Sequence, residues 1–365
     1  MRRISTALLT AVVASVVLAG CAGAGGAQDD ENFYADHDIE IFVPFGPGGG
    51  TDVTARLMAQ FMPQFIEGSP AVQVYNEDGA AGVPGTAKFI KTGAKDGSEL
   101  LMSSNATHLA YAFGERGVTF DFSSLEPVAG FGVGAVAYAR TDAGINSVQD
   151  LIDRDRPLQY AGQSASGGDL NMLLAFDLLD IDVNVVLGYE GRGPARLAFE
   201  SGEADINYDN TSAYFSSVKP MVEAGDAIPL FTYGQYRDGG VVREEAFPDL
   251  PTVAEVYEEL YGEEPSGPIW DAYLAVLPLR ADLNKVLWIP SEVSEATKRA
   301  LIDGVVAMFA DKEFVAAKQE ALGDEMPLTG ADLEAAVDVL KNTDPDSDEF
   351  VWLRNWLTEN YQVQF

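Results

Sequence analysis

The chain has 365 residues and carries 57 acidic side chains against 23 lysines and arginines, which gives a formal charge of −34. A surface this acidic repels nucleic acid and anionic lipid, so neither is expected as a partner. With one cysteine and two histidines, the chain cannot form an intramolecular disulfide or a metal site of histidine and cysteine ligands.

The first twenty residues have the form of a secretory signal. Arg2 and Arg3 precede an apolar run, 7–18, that is too short to span a bilayer stably. The next residues, Leu-Ala-Gly-Cys, end at Cys21 and resemble the lipobox of bacterial lipoproteins, although an ordinary signal with an incidental cysteine is an alternative. We predict a signal peptide over 1–20, a lipidated flexible tether over 21–36, and a place in the periplasm or at the outer face of the cell membrane.

Removal of the signal leaves about 345 residues, enough for two α/β domains with real cores. The mature charge is −36, from 21 basic and 57 acidic residues. Such a surface keeps a secreted protein in solution, and an anionic ligand would have to be held against its field.

The most informative stretch is Ile39 to Met62, which reads as strand, glycine turn and helix. Alternating apolar residues predict a strand that ends at Pro44, and four glycines follow before Thr51 or Asp52 can cap a helix. Backbone N–H groups at such a helix start attract anions without any basic side chain. The same run equally fits an ordinary glycine-rich turn, and it matches neither a Walker loop nor a dinucleotide-binding fingerprint.

Similar units follow along the chain. Strands are predicted over 72–76 and 100–103. The strand 100–103 ends in a polar cluster, at the edge where a parallel sheet opens onto a crevice. The cluster comprises Ser104, Asn105, Thr107 and His108. A plain helix N-terminus is the alternative for this cluster. A long strand over 125–139 then leads to a second block, 140–230, with the same pattern and a second glycine loop at 161–169.

The last third is predicted to be mainly helical. Helices are expected over 253–261, 295–309 and 313–322, with a buried strand at 273–277. The aromatic stretch 343–365 is expected to form a closing helix that packs back on the first domain.

Few residues could support catalysis. A serine triad could use only His108 in practice, and no GxSxG elbow presents a serine, although Ser164 and Ser166 superficially suggest a nucleophile. Asp205 and Asp209 could act as an acid–base pair, but capping of the next helix fits them better. No calcium-type loop is present in the sequence, so we expect no metal. Because no catalytic arrangement stands out either, we expect no enzyme and no cofactor.

Three segments together resemble the substrate-binding receptors of tripartite tricarboxylate transporters, the Bug- or TctC-type family. They are IEIFVPFGPGGGTDVTARLMA, VYNEDGAAGVPGTAKFIKTGAKDGSELLM and FPDLPTVAEVY. The first resembles the family's Pro-Phe and Pro-Gly-Gly turn, and the last its Pro-Asp-Val-Pro-Thr-Phe-Ala-Glu motif. The matching pieces fall in order over about 39–322, which is nearly the whole mature chain.

The resemblance implies an α/β protein with the type II periplasmic-binding-protein fold, in which two domains joined by a hinge enclose a ligand cleft. Domain 1 would comprise 37–138 and 232–365, and domain 2 would comprise 139–231. The implied function is an extracytoplasmic receptor that binds a small carboxylate and delivers it to integral membrane transporter subunits, as a monomer. The alternatives are an extracytoplasmic hydrolase of a small acid or ester, and a sensory or structural lipoprotein.

The family's first loop holds a carboxylate through backbone N–H groups, and its second loop holds the far end of the ligand. With the polar cluster described above, the predicted ligand-binding residues are Phe45, Gly46, Gly48, Gly49, Gly50, Thr51, Asp52, Ser104, Asn105, Thr107, His108, Ser164, Ser166, Gly167, Gly168, Asp169, Arg192 and Asp209.

Two departures from the family concern the far end of the ligand. A family lysine is replaced by Glu190, and Asp169 adds another negative charge. Both disfavour a second carboxylate there unless Arg192 supplies the missing positive charge. A monocarboxylate, or a ligand with a neutral or amine-bearing far end, is therefore as reasonable as a tricarboxylate.

Overall fold

The computed structural model describes residues 32–237 and 240–365. The predicted signal, Cys21 and most of the predicted tether lie outside these residues. The last tether residues do not behave as a tether: Phe33–Asp36 forms a helical turn, and the buried Tyr34 donates a hydrogen bond to the Gly97 carbonyl at 3.1 Å. None of the helices in the described part is both long enough and apolar enough to cross a membrane.

The strands alternate with helices through most of the chain. The strands are β1 Ile39–Val43, β2 Val72–Asn76, β3 Glu99–Ser104, β4 Leu125–Gly132, β5 Ala135–Arg140, β6 Leu158–Ala161, β7 Val183–Val186, β8 Ile206–Asn210, β9 Ala227–Thr232, β10 Gln235–Arg237, β11 Gly240–Val242, β12 Lys285–Pro290 and β13 Met326–Leu328.

The helices include two single turns of π-helix, at Tyr214–Val218 and Pro278–Asp282. The α-helices are α1 Phe33–Asp36, α2 Gly50–Phe61, α3 Val83–Thr92, α4 Asn105–Ala112, α5 Gln149–Ile152, α6 Leu170–Leu178, α7 Arg192–Glu200, α8 Thr211–Ala213, α9 Lys219–Ala224, α10 Val253–Tyr261, α11 Pro268–Leu277, α12 Glu295–Phe309, α13 Lys312–Leu322, α14 Gly330–Lys341 and α15 Asp348–Tyr361.

Two mixed sheets organise the molecule. The first sheet has the order β13-β4-β12-β3-β1-β2, and the second has the order β7-β6-β8-β5-β9. In the first sheet β1 runs parallel to β2 and β3, as the predicted strand–helix units require, whereas β12 runs antiparallel to β3 and β4. Since β12 and β13 come from the last third of the chain, the first sheet is completed by residues distant in sequence.

The predicted long strand 125–139 is in fact two strands that belong to different sheets. It breaks at Val133 and Gly134, where the chain passes from β4 to β5. Gly134 is required there because a Cβ would lie 1.6 Å from the Glu244 Oε2 atom. The chain returns towards the first sheet after β9.

The predicted strand 273–277 is wrong, because these residues form the end of α11. Pro268 occupies the first turn of this helix, where a missing N–H costs nothing. A short, continuously apolar run does not distinguish a buried strand from a buried helix, which is why the sequence pattern misled here.

Helix α10 begins at the residue that the sequence predicted. Thr252 is its N-cap, and Thr252 and Glu255 form a reciprocal capping box. This arrangement gives a physical reason for the Pro-Thr-x-x-Glu part of the family-like motif.

The closing helix, α15, contacts more of the molecule than was predicted. Phe350 packs edge-on against Phe113, on the side of the first sheet. Trp356 donates its indole N–H to Asp177 of α6 at 2.7 Å, and α6 belongs to the second sheet's block. The last helix therefore packs on both halves of the molecule.

Glu244 is buried at the crossing between the two sheets. Its Oε1 accepts the Ala135 N–H at 3.2 Å, and only 1% of the residue is exposed. The pKa of the Glu244 carboxyl is raised to about 8, mainly by burial, with the Ala135 hydrogen bond opposing the rise and the charge of Asp282 adding to it.

Between the ordinary glutamate pKa of 4.5 and about 8, the native protein keeps a proton on Glu244 that the unfolded chain has lost. The contribution of Glu244 to the free energy of unfolding therefore falls as the pH rises through this window. We expect wild type to lose on the order of 3 kcal/mol relative to Glu244→Gln between about pH 5 and pH 8, in urea titrations. The exposed neighbour Glu245 is the control, because Glu245→Gln should show no such trend. A pH-independent difference for Glu244→Gln would contradict the prediction.

Candidate functional site

The loop after β1 presents the start of α2 as a group of backbone donors. The helix begins at Gly50, and its N-cap residue is Gly49 in an extended conformation, so the predicted Thr51 or Asp52 cap is wrong. Among the described residues, no side chain caps this helix start. Its first N–H groups are therefore available to an anion.

Asp52 faces into its own loop and holds it closed. Its carboxylate accepts hydrogen bonds from the Gly48 N–H at 2.7 Å, the Arg56 Nε at 2.9 Å and the Asn76 amide at 2.9 Å. Burial alone would raise the pKa of Asp52, but the bonds from Arg56, Gly48 and Asn76 bring it below its usual value. Asp52 is thus a charged carboxylate that fixes the loop rather than a group facing the cleft.

The polar cluster after β3 divides into two parts. Ser104 and Asn105 face the space between the sheets, and the Asn105 amide donates to the Asn284 side chain at 3.2 Å. Thr107 is buried and donates to the Ala81 carbonyl at 2.7 Å.

His108 lies in the core. Its Nε2 is 2.7 Å from the Ser103 hydroxyl and its Nδ1 is 3.0 Å from the Leu283 carbonyl. Burial lowers the pKa of His108 to about 3, so the ring is neutral at physiological pH. The structure does not bring this predicted site residue to the cleft, because both ring nitrogens are used in packing the core.

The second glycine loop is closed in the same way as the first. Asp169 is fully buried and accepts the Gln163 N–H at 2.7 Å, the Ser164 N–H at 2.9 Å and the hydroxyl of Tyr160. Burial, followed by the charge of Asp169, raises the pKa of Tyr160, so its hydroxyl remains a donor.

Arg192 begins α7 and is already paired with Asp169. Its Nη1 lies 3.1 Å from the Asp169 Oδ1, and its Nη2 donates to the Asn207 side chain and the Tyr208 carbonyl. The guanidinium carbon lies 3.8 Å from the Tyr208 ring centre, and 18% of the side chain is exposed. The charge of Arg192 is therefore largely committed within the protein.

The two aspartates that suggested acid–base chemistry have separate arginine partners. Asp209 is fully buried and accepts from the Tyr138 hydroxyl at 2.7 Å and from Arg196 at 3.1 Å. Asp205 is held by Arg156 through two hydrogen bonds of 2.8 and 3.0 Å. Neither residue lines the cleft.

A cavity of about 330 Å³ lies where the strand ends of both sheets face each other. Six predicted residues line it, namely Gly50, Thr51, Ser104, Asn105, Gly168 and Arg192. The predicted residues that do not line it are Phe45, Gly46, Gly48, Gly49, Asp52, Thr107, His108, Ser164, Ser166, Gly167, Asp169 and Asp209. The sequence analysis missed Val133, Gln163, Tyr208, Asn210, Arg280, Asn284, Lys285 and Glu325.

Two of the missed residues change the charge of the cavity. Arg280 lies in the π-helical turn after α11, and Lys285 begins β12, where it pairs with Glu325. With Arg192, the lining carries three cations against the one carboxylate of Glu325. The available signal was the rarity of basic residues, since two of only 23 fall within the short segment 280–285.

Larger hollows of about 460 and 510 Å³ lie beside Arg140 and beside Lys318. Neither contains the two glycine loops, so the smaller cavity is the better candidate for a binding site. Within residues 32–237 and 240–365, no group of three or more histidine, cysteine or acidic side chains is arranged to hold a metal ion.

Sequence comparison finds Bug-type proteins that are similar to this chain, although no family model matches it. Protein BugT of Bordetella pertussis is 28% identical over 314 residues, covering 84% of this chain and 89% of BugT. A UPF0065 protein of the same organism is 28% identical over 252 residues, covering 66% of this chain and 71% of that protein. The homologues are therefore Bug/UPF0065 proteins, which confirms the resemblance predicted from the sequence.

Comparison with solved structures identifies the fold. A TctC solute-binding protein from Polaromonas aligns with a TM-score of 0.66 at 17% identity, over 89% of this chain and 99% of that protein. The periplasmic binding protein BugD aligns with a TM-score of 0.52 at 18% identity, over 89% and 97% of the two chains. The chain has the two-sheet α/β fold of periplasmic binding proteins, as predicted.

Removal of Arg192 should mainly destabilise the protein. Arg192→Ala leaves the fully buried Asp169 without its cationic partner, and we expect a loss of about 3 kcal/mol in the free energy of unfolding. The matched change is Arg243→Ala, because Arg243 forms a solvent-exposed pair with Glu255, and the loss of such a pair should change the free energy of unfolding much less. Urea unfolding of both variants tests this, and equal, small losses would show that the Asp169 pair contributes little.

Proposed function

We propose that this protein is an extracytoplasmic solute receptor that binds a small carboxylate between its two sheets. The observation that carries the proposal is the cavity at the start of α2, which combines uncapped backbone N–H groups with three cationic side chains. Arg192 is paired with Asp169 and Lys285 with Glu325, so the unpaired charge of Arg280 and the backbone N–H groups supply the local positive excess. In a chain of charge −34, this excess favours an anionic ligand.

The structural neighbours support a small carboxylate as the ligand. One Rhodopseudomonas palustris protein, solved with adipate, aligns with a TM-score of 0.57 at 21% identity, over 88% of this chain and 97% of that protein. Another, MatC with bound malate, aligns with a TM-score of 0.51 at 20% identity, over 88% and 98%. Both ligands are small organic acids, and a cavity of about 330 Å³ suits a ligand of this size.

The proposed receptor has two domains that close on the ligand. Domain 1 comprises 37–138 and 232–365, and domain 2 comprises 139–231, with the hinge near the crossings where β4 continues into β5 and where the chain leaves β9. The ligand-binding residues of the proposal are those lining the cavity, with both glycine loops supporting them.

The delivery partner in this proposal is the membrane part of a tripartite tricarboxylate-type transporter. The proposed location is the periplasm or the outer face of the cell membrane. The proposed receptor is a monomer that is anchored by a lipid on Cys21. Catalysis is not part of the proposal, because His108 is enclosed in the core and cannot serve Ser164 or Ser166.

A receptor should bind an organic acid and release it unchanged. We expect thermal stability to increase with the concentration of the bound acid, by RT ln(1 + [L]/Kd), in a thermal-shift screen of small mono-, di- and tricarboxylates. Chromatography of the incubated acid should recover it without conversion. Conversion would indicate an enzyme, and the absence of any shift across the panel would contradict the carboxylate receptor.

Position 50 allows the backbone donors of α2 to be tested without changing charge. Gly50→Pro removes one N–H at the first helical position, where proline is well tolerated, and Gly49 already has the extended conformation that proline requires before it. Gly50→Ala retains the N–H and adds a Cβ that would lie 3.6 Å from the Lys285 Cε.

We expect the proline variant to bind the acid roughly tenfold more weakly than the alanine variant, the cost of one hydrogen bond to a charged group. Isothermal titration measures the two affinities, and thermal unfolding checks that both variants fold. Equal affinities would mean that the start of α2 does not hold the ligand.

A further inference from the structure

Arg280 extends from the first half of the molecule to the second glycine loop. It lies in the π-helical turn Pro278–Asp282, which leads into β12 of the first sheet. Its Nη2 donates to the Gly168 carbonyl at 2.7 Å and lies 3.5 Å from the Tyr208 hydroxyl, both on the side of the second sheet. The guanidinium therefore lies at the face of the cavity formed by the second loop.

Arg280 differs from the other two cations of the cavity in having only neutral partners. Arg192 pairs with Asp169, and Lys285 pairs with Glu325. Within the part of the chain that the structure describes, no carboxylate oxygen lies within 4 Å of Arg280, and its buried Nε lacks a hydrogen-bond partner. A guanidinium in this state has both charge and donor capacity left for an anion.

The other anion-holding group of the cavity belongs to a different wall. Gly50 starts α2 beside Lys285, whereas Arg280 lies against Gly168 of the second loop. A ligand with one acidic group would satisfy one of these walls and leave the other with an unused positive group. A ligand with two acidic groups would satisfy both.

Given the proposed receptor function, on which this inference rests, we propose that Arg280 binds the second carboxylate of the ligand and makes the receptor selective for dicarboxylates. The sequence had suggested Arg192 for this role, but Arg192 is occupied by Asp169. A carboxylate replaces the neutral carbonyl and hydroxyl partners of Arg280 with a charge-assisted pair, which is the stronger interaction. Because Arg280 already contacts the second loop, the same bond would connect the two walls through the ligand.

The test compares each diacid with its own monoamide, which has nearly the same size but one charge fewer. Succinate, glutarate, adipate and their monoamides are titrated calorimetrically into wild type, Arg280→Gln, Arg280→Lys and Arg116→Gln. Arg116 is exposed and lies away from the cavity, so its variant controls for the loss of one positive charge.

We expect wild type and Arg116→Gln to bind the best diacid roughly 30-fold more tightly than its monoamide. Arg280→Gln should bind both about equally, and Arg280→Lys should retain part of the preference. Thermal unfolding checks that the Gln variant folds, and a purely structural role of Arg280 would weaken the diacid and its monoamide by the same factor.

Equal binding of diacid and monoamide by wild type, or a preference that persists in Arg280→Gln, would overturn the role of Arg280 while leaving the receptor function intact. If wild type binds none of these acids, the proposed function fails and this inference fails with it.

Discussion

A buried aspartate that closes each glycine loop is the constraint on which the site depends. Asp52 and Asp169 have little or no contact with solvent. Within its own loop, Asp52 accepts one backbone N–H group and Asp169 accepts two. Removing a carboxylate from water is costly unless donors surround it, so each loop must fold around its aspartate. The loops then set where α2 starts and where Arg192 and Gly168 lie, which defines two walls of the cavity.

The charge distribution explains how an acidic protein can receive an anion. The acidic residues greatly outnumber the basic ones, yet the lining of the cavity has the opposite balance, with Arg192, Arg280 and Lys285 against Glu325. Exposed charges farther away than about 10 Å are largely screened at ordinary salt concentrations. Local cations and backbone donors therefore outweigh the field of the distant surface, and the surface can serve solubility.

The two halves are connected in ways that differ in strength. Glu244, Ala135 and Gly134 are tightly packed at the sheet crossing, which leaves no room for a side chain at position 134. Arg280 reaches the second glycine loop at the edge of a cavity, through a 2.7 Å hydrogen bond to the Gly168 carbonyl and a long 3.5 Å contact with the Tyr208 hydroxyl. A hydrogen bond such as that of Arg280 exchanges one partner for another at little cost in free energy. Ligand binding can therefore alter the Arg280 contact while the sheet crossing stays intact.

The sequence by itself determined the local units: the β1-loop-α2 unit, the strands of both blocks, most helices and the family resemblance. These follow from periodicity and turn chemistry, which act over a few residues. The sequence analysis misplaced the cap of α2, because several residues of the glycine-rich turn could begin the helix. It also read part of α11 as a strand, because a short apolar run fits either element. Only the tertiary structure placed Arg280 and Lys285 at the cavity. Their neighbours there, Gly50 and Gly168, are more than a hundred residues away in the chain, and no short-range pattern records such a meeting.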